Sequence, residues 1–300
     1  MKRGNLVSPA KRIKAIAEWP GLIAFILCAS AVAQAQAPVQ YAIGLRDLMQ
    51  ARNYAMGAAY RALGVGAEAV DGNPAAMSLR KRYEIDVAGA WDQQTKFTFA
   101  NATAYDSRTS ELAAGVSYHF ISIGRGPEQR YAHFSTVAIA AGASDTIHFG
   151  LAGHYVVESG ARSRNGITLD AGMAVRLSDA ITLAVSAHNV IDVHNPDLPR
   201  YYAAGVGYTK GALTLAADLR ADFSSTLPKS ELTPGAGIEY IAGGSFPLRA
   251  GYTYDSLTNS HFVSGGLGVL GDGGGLDFAY RQEIGGSEQH LIALTFKIQL

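Results

Sequence analysis

From residue 82 to the last residue the chain repeats one pattern: runs of about ten residues in which apolar and polar side chains alternate. Across 147–157, Ile147, Phe149, Leu151, Tyr155 and Val157 fall on one side, and His148, Gly150, Ala152 and His154 fall on the other. Across 166–176, Ile167, Leu169, Ala171, Met173 and Val175 oppose Thr168, Asp170, Gly172 and Arg176; near the end, Ile292, Leu294, Phe296, Ile298 and Leu300 oppose Ala293, Thr295, Lys297 and Gln299. A period of two places successive side chains on opposite faces of an extended strand, so these segments read as strands with one apolar and one polar face. A bundle of helices is excluded on periodicity alone.

Turn signals divide the region into fourteen strands, at 82–92, 96–105, 111–120, 131–141, 146–157, 166–176, 181–191, 199–208, 212–221, 231–241, 246–254, 260–270, 274–282 and 289–300. Connections after odd-numbered strands are mostly longer than those after even ones, the asymmetry of a bacterial outer-membrane barrel with short periplasmic turns and longer outer loops. The runs exceed the five to six residues usual for globular strands. Their apolar faces carry Trp91, Tyr105, Tyr118, Tyr155, Tyr208, Tyr240, Tyr254 and Tyr280 near the run ends, as an interfacial girdle would. The opposite faces carry Glu84, Asp86, Asp170, Arg176, Asp218, Arg220, Glu239, Arg249, Asp277 and Arg281, which the core of a soluble β-sandwich could not accept and a wet lumen could. The expected fold is all-β, a transmembrane antiparallel β-barrel of fourteen strands, closed because lipid tolerates no unpaired strand edge.

The segment before the barrel reads as two pieces. Residues 1–35 have the parts of a secretory signal peptide: a basic start (Lys2, Arg3, Lys11, Arg12, Lys14), an apolar run over 21–33, and small residues offering cleavage after Ala33 or Ala35. The apolar run is shorter than the roughly 20 residues a membrane helix needs. Cys28, the one cysteine, lies in this leader after Leu27, so neither a lipid anchor nor a disulfide is expected in the mature chain. Cleavage after Ala35 takes five basic residues and one acidic residue from 25 of each, leaving a mildly acidic protein with no argument for a nucleic-acid partner.

Residues 36–81 belong to neither the leader nor the strands. Within 54–77 the chain is rich in alanine, nearly without charge, and carries Gly57, Gly64, Gly66 and Gly72. So little surface cannot fold alone, so the segment must pack inside something that encloses it. Just upstream, Leu45, Leu48 and Met49 are spaced as on a short helix over 43–52.

The stretches 56–63 (MGAAYRAL) and 66–72 (GAEAVDG), followed by Asn73-Pro74-Ala75, resemble the N-terminal part of the FadL/TodX family of outer-membrane hydrophobic-compound transporters and of the related PorV/PorQ-type barrels. The last strand, ending in Leu300, resembles the C-terminal signal read by the barrel-assembly machinery, where Phe is usual. The family resemblance implies an N-terminal plug that blocks the lumen, passage of small hydrophobic, fatty-acid-like compounds by passive diffusion past it, and exit sideways through the wall. It also implies residence in the outer membrane among phospholipid and lipopolysaccharide. Asn73, Pro74 and Ala75 would form the hinge between plug and wall, Pro74 fixing φ and Asn73 bonding nearby backbone. The Gly/Ala-rich strip could pack with little steric demand against lumen walls rich in glycine and alanine, such as Ala88, Ala90, Gly115 and Gly172. The PorV-type alternative is a barrel that transports nothing and serves a secretion or surface-attachment partner as scaffold or shuttle; an ordinary porin would instead be permanently open.

Other motifs have plainer readings. Gly64-Val65-Gly66-Ala67-Glu68-Ala69 matches a dinucleotide fingerprint, but no βαβ unit surrounds it. His188, Asp192 and His194 read as the polar root of a loop, and no metal or cofactor is expected. Inward His119, His148, His154 and His188 with Ser117 and Ser186 are expected in any polar lumen, so no catalytic residue and no enzyme activity is assigned. Arg176, Arg220, Arg249 and Arg281 could bind a substrate carboxylate or form a charge ladder with Asp170, Asp218 and Asp277.

Overall fold

The computed structural model describes residues 48–300 except 65, 162, 194, 196–197, 223–230, 257 and 287–288. The leader, with Cys28 and its cleavage sites, lies outside the described residues, as do Val65, His194 and the first part of the expected helix over 43–52.

Fourteen strands follow one another: β1 (Tyr83–Asp92), β2 (Phe97–Asp106), β3 (Ala113–Ile123), β4 (Arg130–Gly142), β5 (Ile147–Gly160), β6 (Arg164–Arg176), β7 (Ile181–His188), β8 (Tyr201–Lys210), β9 (Leu213–Asp222), β10 (Glu231–Ala242), β11 (Phe246–Asp255), β12 (Ser260–Gly271), β13 (Gly274–Ile284) and β14 (His290–Gln299). Each pairs antiparallel with its sequence neighbours, and β1 also pairs with β14, from Glu84 opposite Gln299 to Asp92 opposite Leu291, so the sheet closes. An all-antiparallel up-and-down sheet closes this way only with an even strand number. No helix among the described residues is long and apolar enough to cross a membrane; the strands span it.

The alternation in the sequence becomes the two faces of the wall. Leu151, Ile167, Val137, Leu267 and Phe296 are each more than half exposed on the outside, a belt that only lipid would cover. Glu84, Asp86, Asp170, Asp218, Glu239, Arg249 and Asp277 are buried on the inside. Trp91, Tyr118, Tyr155, Tyr240 and Tyr280 are exposed among the outward aromatics, but Tyr105 is not: it is 3% exposed, shares the inward parity of Phe97 and Phe99, and packs beside Gly115. Its place near a run end misled the assignment, since parity rather than position decides the face.

The connections differ in two places from the expected alternation of long and short. β5 and β6 extend to Gly160 and Arg164, so the expected 157–166 loop is mostly strand, paired from Ile147 opposite Val175 to Glu158 opposite Arg164. The β2–β3 connection, 107–112, is longer than the β1–β2 turn, 93–96. Short polar side chains cap these turns: Asp92 accepts from the amides of Gln94 and Thr95 at 2.8 and 3.0 Å, and Asp106 accepts from those of Arg108 and Thr109 at the same two distances.

Inside the barrel lies the segment that precedes β1. It contains two short helices, α1 (Ala51–Ala55) and α2 (Ala69–Gly72), and a 3-10 helix over Pro74–Ser78. Leu48, Met49 and Gln50 are not helical, so the helix begins later than the spacing predicted. Its residues form two apolar clusters with the inner wall: Tyr54, Met56 and Leu63 join Ala88, Ala90 and Phe99, and Val70, Ala75 and Met77 join Tyr105, Ala138 and Ala152.

Candidate functional site

The site is the seat of the plug in the lumen, held at four places by side chains from opposite parts of the wall. At the first, the Arg52 guanidinium grips Glu239 of β10 with two hydrogen bonds, 3.0 and 2.9 Å, and reaches Glu68 of the plug at 3.2 Å. Arg249 bridges Glu239 and Asp277 at 2.5 and 2.6 Å, and Lys297 lies 3.7 Å from Glu68 and 3.5 Å from Asp277. Buried charges are tolerable when each is paired, which this network achieves by alternating signs; Glu68 Oε2 and Asp277 Oδ2 meet Lys297 as ion pairs without a hydrogen bond.

At the second place, Asp218 of β9 receives the backbone amides of Tyr60 and Arg61 at 3.0 and 3.1 Å and the Arg61 guanidinium at 3.2 Å. One carboxylate thus binds both the backbone and the charge of the plug. At the third, Asp71 accepts from Ser117 and Thr136 at 2.8 Å each and contacts His119 Nε2 at 3.0 Å. Burial works to raise the Asp71 carboxyl, but His119, with His154 and Thr136 behind it, more than offsets this, and the group titrates below its ordinary value.

The fourth is the turn at Asn73, Pro74 and Ala75. Asn73 accepts from the amide of Ala75 at 3.2 Å, and its side-chain amide donates to the Arg61 carbonyl at 3.3 Å. Pro74 opens the 3-10 helix, where its missing N–H costs nothing. Ser78 then meets His148 Nδ1 at 2.9 Å, and Arg176 of β6 donates to the Leu79 carbonyl. Asn73, Pro74 and Ala75 thus open the 3-10 helix that leads through residues 79–82 to β1.

The wall is paved with small residues where the plug crosses it. Gly57 has φ +62°, and a Cβ there would stand 2.5 Å from the carbonyl oxygens of Ala236 and Tyr252. On the wall side, a Cβ at Gly235 would meet Gly57 O at 2.1 Å, one at Gly237 Met56 O at 2.4 Å, and one at Gly251 Gly57 N at 2.2 Å. Gly115 and Gly172 serve Val70 and Asn73 in the same way, while Gly72 lies against the Tyr60 ring. Sequence reasoning missed Gly235, Gly237 and Gly251; their inward parity in β10 and β11 was the available signal. It also treated the plug as nearly charge-free, although Arg61, Glu68 and Asp71 are three of its anchors.

The four lumen arginines are all engaged. Arg249 and Arg176 have the contacts above, Arg220 pairs with Glu231 at 3.1 Å, and the Arg281 guanidinium stacks over the rings of Tyr54 and Phe262 at 5.1 and 4.9 Å. Arg176 also lines a polar cavity of about 300 Å³ with Arg80, Asp179 and Thr182, between the plug and the β6–β7 turn. Gly64 and Gly66 occupy a loop inside an antiparallel barrel, which removes the parallel-sheet context of a dinucleotide site.

A polar chain continues from Asp71 through Thr136 to His154 (2.9 Å), Asp170 (2.9 Å), His188 (2.5 Å) and Ser186 (2.8 Å). Its end has the order of a nucleophile, base and orienting acid. The cavity that His188 and Asp170 line holds about 30 Å³, space for about one water and not for an ester substrate. By contrast, an apolar groove of about 520 Å³ runs over the outward side of β6 to β9 between Met173, Val185, Tyr202 and Leu219.

The sequence matches no family model and no curated protein. Solved structures do match. The Ralstonia pickettii toluene transporter TbuX superposes with a TM-score of 0.64 at 13% identity, over 84% of this chain and 98% of that one. The Pseudomonas putida toluene transporter TodX gives 0.62 at 13%, over 84% and 98%. A Pseudomonas aeruginosa FadL homologue gives 0.60 at 12%, over 84% and 97%. With its closed fourteen-stranded wall, its lipid-facing belt and its lumen plug, this chain has the fold of the FadL/TodX-type outer-membrane transporters.

Proposed function

We propose that the protein is an outer-membrane channel admitting small hydrophobic compounds by passive diffusion, with the plug as its gate. The observation that carries this reading is a plug anchored by buried ion pairs within a barrel whose fold is that of toluene transporters. The cavities around Asp71 and His119 hold about 10 and 30 Å³, and the roomier one at Arg176, about 300 Å³, is polar, so an apolar solute as large as toluene needs the plug to shift or the wall to part. The groove over β6 to β9 offers such a solute an apolar surface on the bilayer side. Residues 1–35 act as the cleaved export signal, residues 36–81 as the gate and residues 82–300 as the wall. The barrel-assembly machinery inserts the wall into a bilayer faced with lipopolysaccharide, and strand one starts on the periplasmic side. The cavity at Arg176 and Arg80 then opens toward the periplasm, where it would receive a carboxylate leaving the lumen.

Toluene uptake by cells with and without the gene tests this reading, together with bilayer conductance of the protein lacking 41–72. Gene-dependent uptake and raised conductance are expected. Uptake independent of the gene would leave the scaffold role, which the short connections such as 93–96 and 161–163 favour.

A further inference from the structure

The polar chain that starts at Asp71 joins the plug to the wall, and the direction of its hydrogen bonds fixes where its protons sit. Thr136 has one hydroxyl proton, and the ionised Asp71 carboxylate can only accept, so the 2.8 Å contact between them uses that proton. His154 Nδ1, 2.9 Å from the same hydroxyl oxygen, must then donate to it. On the far side of the ring, Nε2 stands 2.9 Å from Asp170 Oδ2, an ion-pair contact that needs a proton between the two atoms. Ordinary values of about 6.5 for an imidazole and about 3.9 for an aspartic acid place that proton on the ring. Both nitrogens of His154, a residue 3% exposed, thus carry hydrogen.

The two neighbouring histidines differ. His119 turns Nε2 to Asp71 at 3.0 Å and takes the Asn101 amide at Nδ1, 3.1 Å away. His188 turns Nδ1 to Asp170 at 2.5 Å and takes the Ser186 hydroxyl at Nε2, 2.8 Å away. Each is satisfied by a single ring proton. The other titratable groups around the small cavity beside them are, among the described residues, Tyr60 of the plug and Tyr201 of β8. The Arg61 guanidinium lies 5.9 Å from the Tyr201 ring but is already committed to Asp218. His154 is therefore the cation between two carboxylates, Asp170 directly and Asp71 through Thr136.

We propose that the His154 imidazolium is a pH-sensitive latch that holds Asp71 of the plug to β4, β5 and β6. The latch is closed while the ring is doubly protonated. It opens as pH rises through the imidazole titration, when either Thr136 or Asp170 is left facing a nitrogen with no proton to give. Its effect on permeation rests on the reading of the plug as a gate; its hold on the plug does not.

The test uses the refolded mature protein. Nitrogen-15 NMR of the histidine rings, with the His154 signals assigned by their loss in His154→Gln or, should that variant not fold, by sequential correlation, is expected to show two protonated nitrogens at about pH 5 and one at about pH 9, either side of the ordinary imidazole value. Protection factors for the amides of α2, in which the intrinsic effect of pH on exchange cancels, are expected to fall roughly tenfold or more over the same interval, the scale of one hydrogen bond to a charged group. His154→Gln and Thr136→Val are expected to lose this response, and His133→Gln, whose ring meets Tyr118 on the outside of the wall, to keep it. Heat-modifiable gel mobility confirms that each variant has folded. A singly protonated His154 at about pH 5, or a wild-type response in folded His154→Gln or Thr136→Val, overturns the latch. Bilayer conductance that rises with pH joins the latch to the gate, whereas flat conductance beside pH-dependent protection overturns the gate and upholds the latch.

Discussion

At the residue scale, the plug is held by a few wall carboxylates that each satisfy several groups at once. Asp218 is the clearest, because it answers two backbone amides and the Arg61 guanidinium with one side chain. Replacing it by alanine leaves Arg61, 6% exposed, without its carboxylate. Removing one partner of a buried ion pair costs about 3–5 kcal/mol. Asp218→Ala is therefore expected to loosen the plug over 58–63 and raise bilayer conductance; limited proteolysis should newly cut this stretch, and a wild-type digestion pattern would contradict the assignment. These anchors were only half legible. Inward parity exposed Asp218 and Glu239 as lumen residues, but nothing local linked them to Arg61 and Arg52, which lie 157 and 187 residues away.

At the element scale, the plug fits because its flattest portion crosses the wall where side chains are missing. Residues 55–58 run over Gly235, Gly237, Gly251 and Gly266 at distances that leave no room for a methyl group. Gly251→Ala would place a Cβ 2.2 Å from Gly57 N and 2.5 Å from the Met56 carbonyl carbon, both backbone atoms that cannot rotate aside. The plug is then expected to lift away and conductance to rise. Gly89→Ala, whose nearest neighbour would be Phe99 O at 3.4 Å, is expected to behave as wild type. Equal conductance in the two variants would show that the glycine paving does not seat the plug. The element boundaries were readable where alternation was regular. They slipped at β5 and β6, whose polar ends from Glu158 to Arg164 continue the ladder without apolar side chains to mark it.

At the scale of the whole molecule, the barrel is polar within and apolar outside, the reverse of a soluble domain. Leu151, 57% exposed near the middle of β5, belongs to the lipid-facing belt. A charged side chain at the bilayer midplane costs about 2–4 kcal/mol in such barrels. Leu151→Arg is expected to lower the stability of the refolded barrel by that amount in urea titrations in lipid vesicles. A change below about 0.5 kcal/mol, the range of ordinary surface substitutions, would place this face away from the hydrocarbon.

The sequence by itself determined the fourteen strands, their antiparallel order, the faces of nearly all their residues and the presence of an enclosed N-terminal segment. These follow from a period of two, from turn residues and from the inability of 54–77 to bury itself, all of which are local. Only the tertiary structure decided which charges meet, that Tyr105 faces the lumen with Phe97 and Phe99, and that His154 stands between Thr136 and Asp170. Those outcomes depend on barrel closure, which brings Ala51 to Thr295 across 244 residues of chain. Alternation says that a residue points inward; the closed register alone says what it finds there.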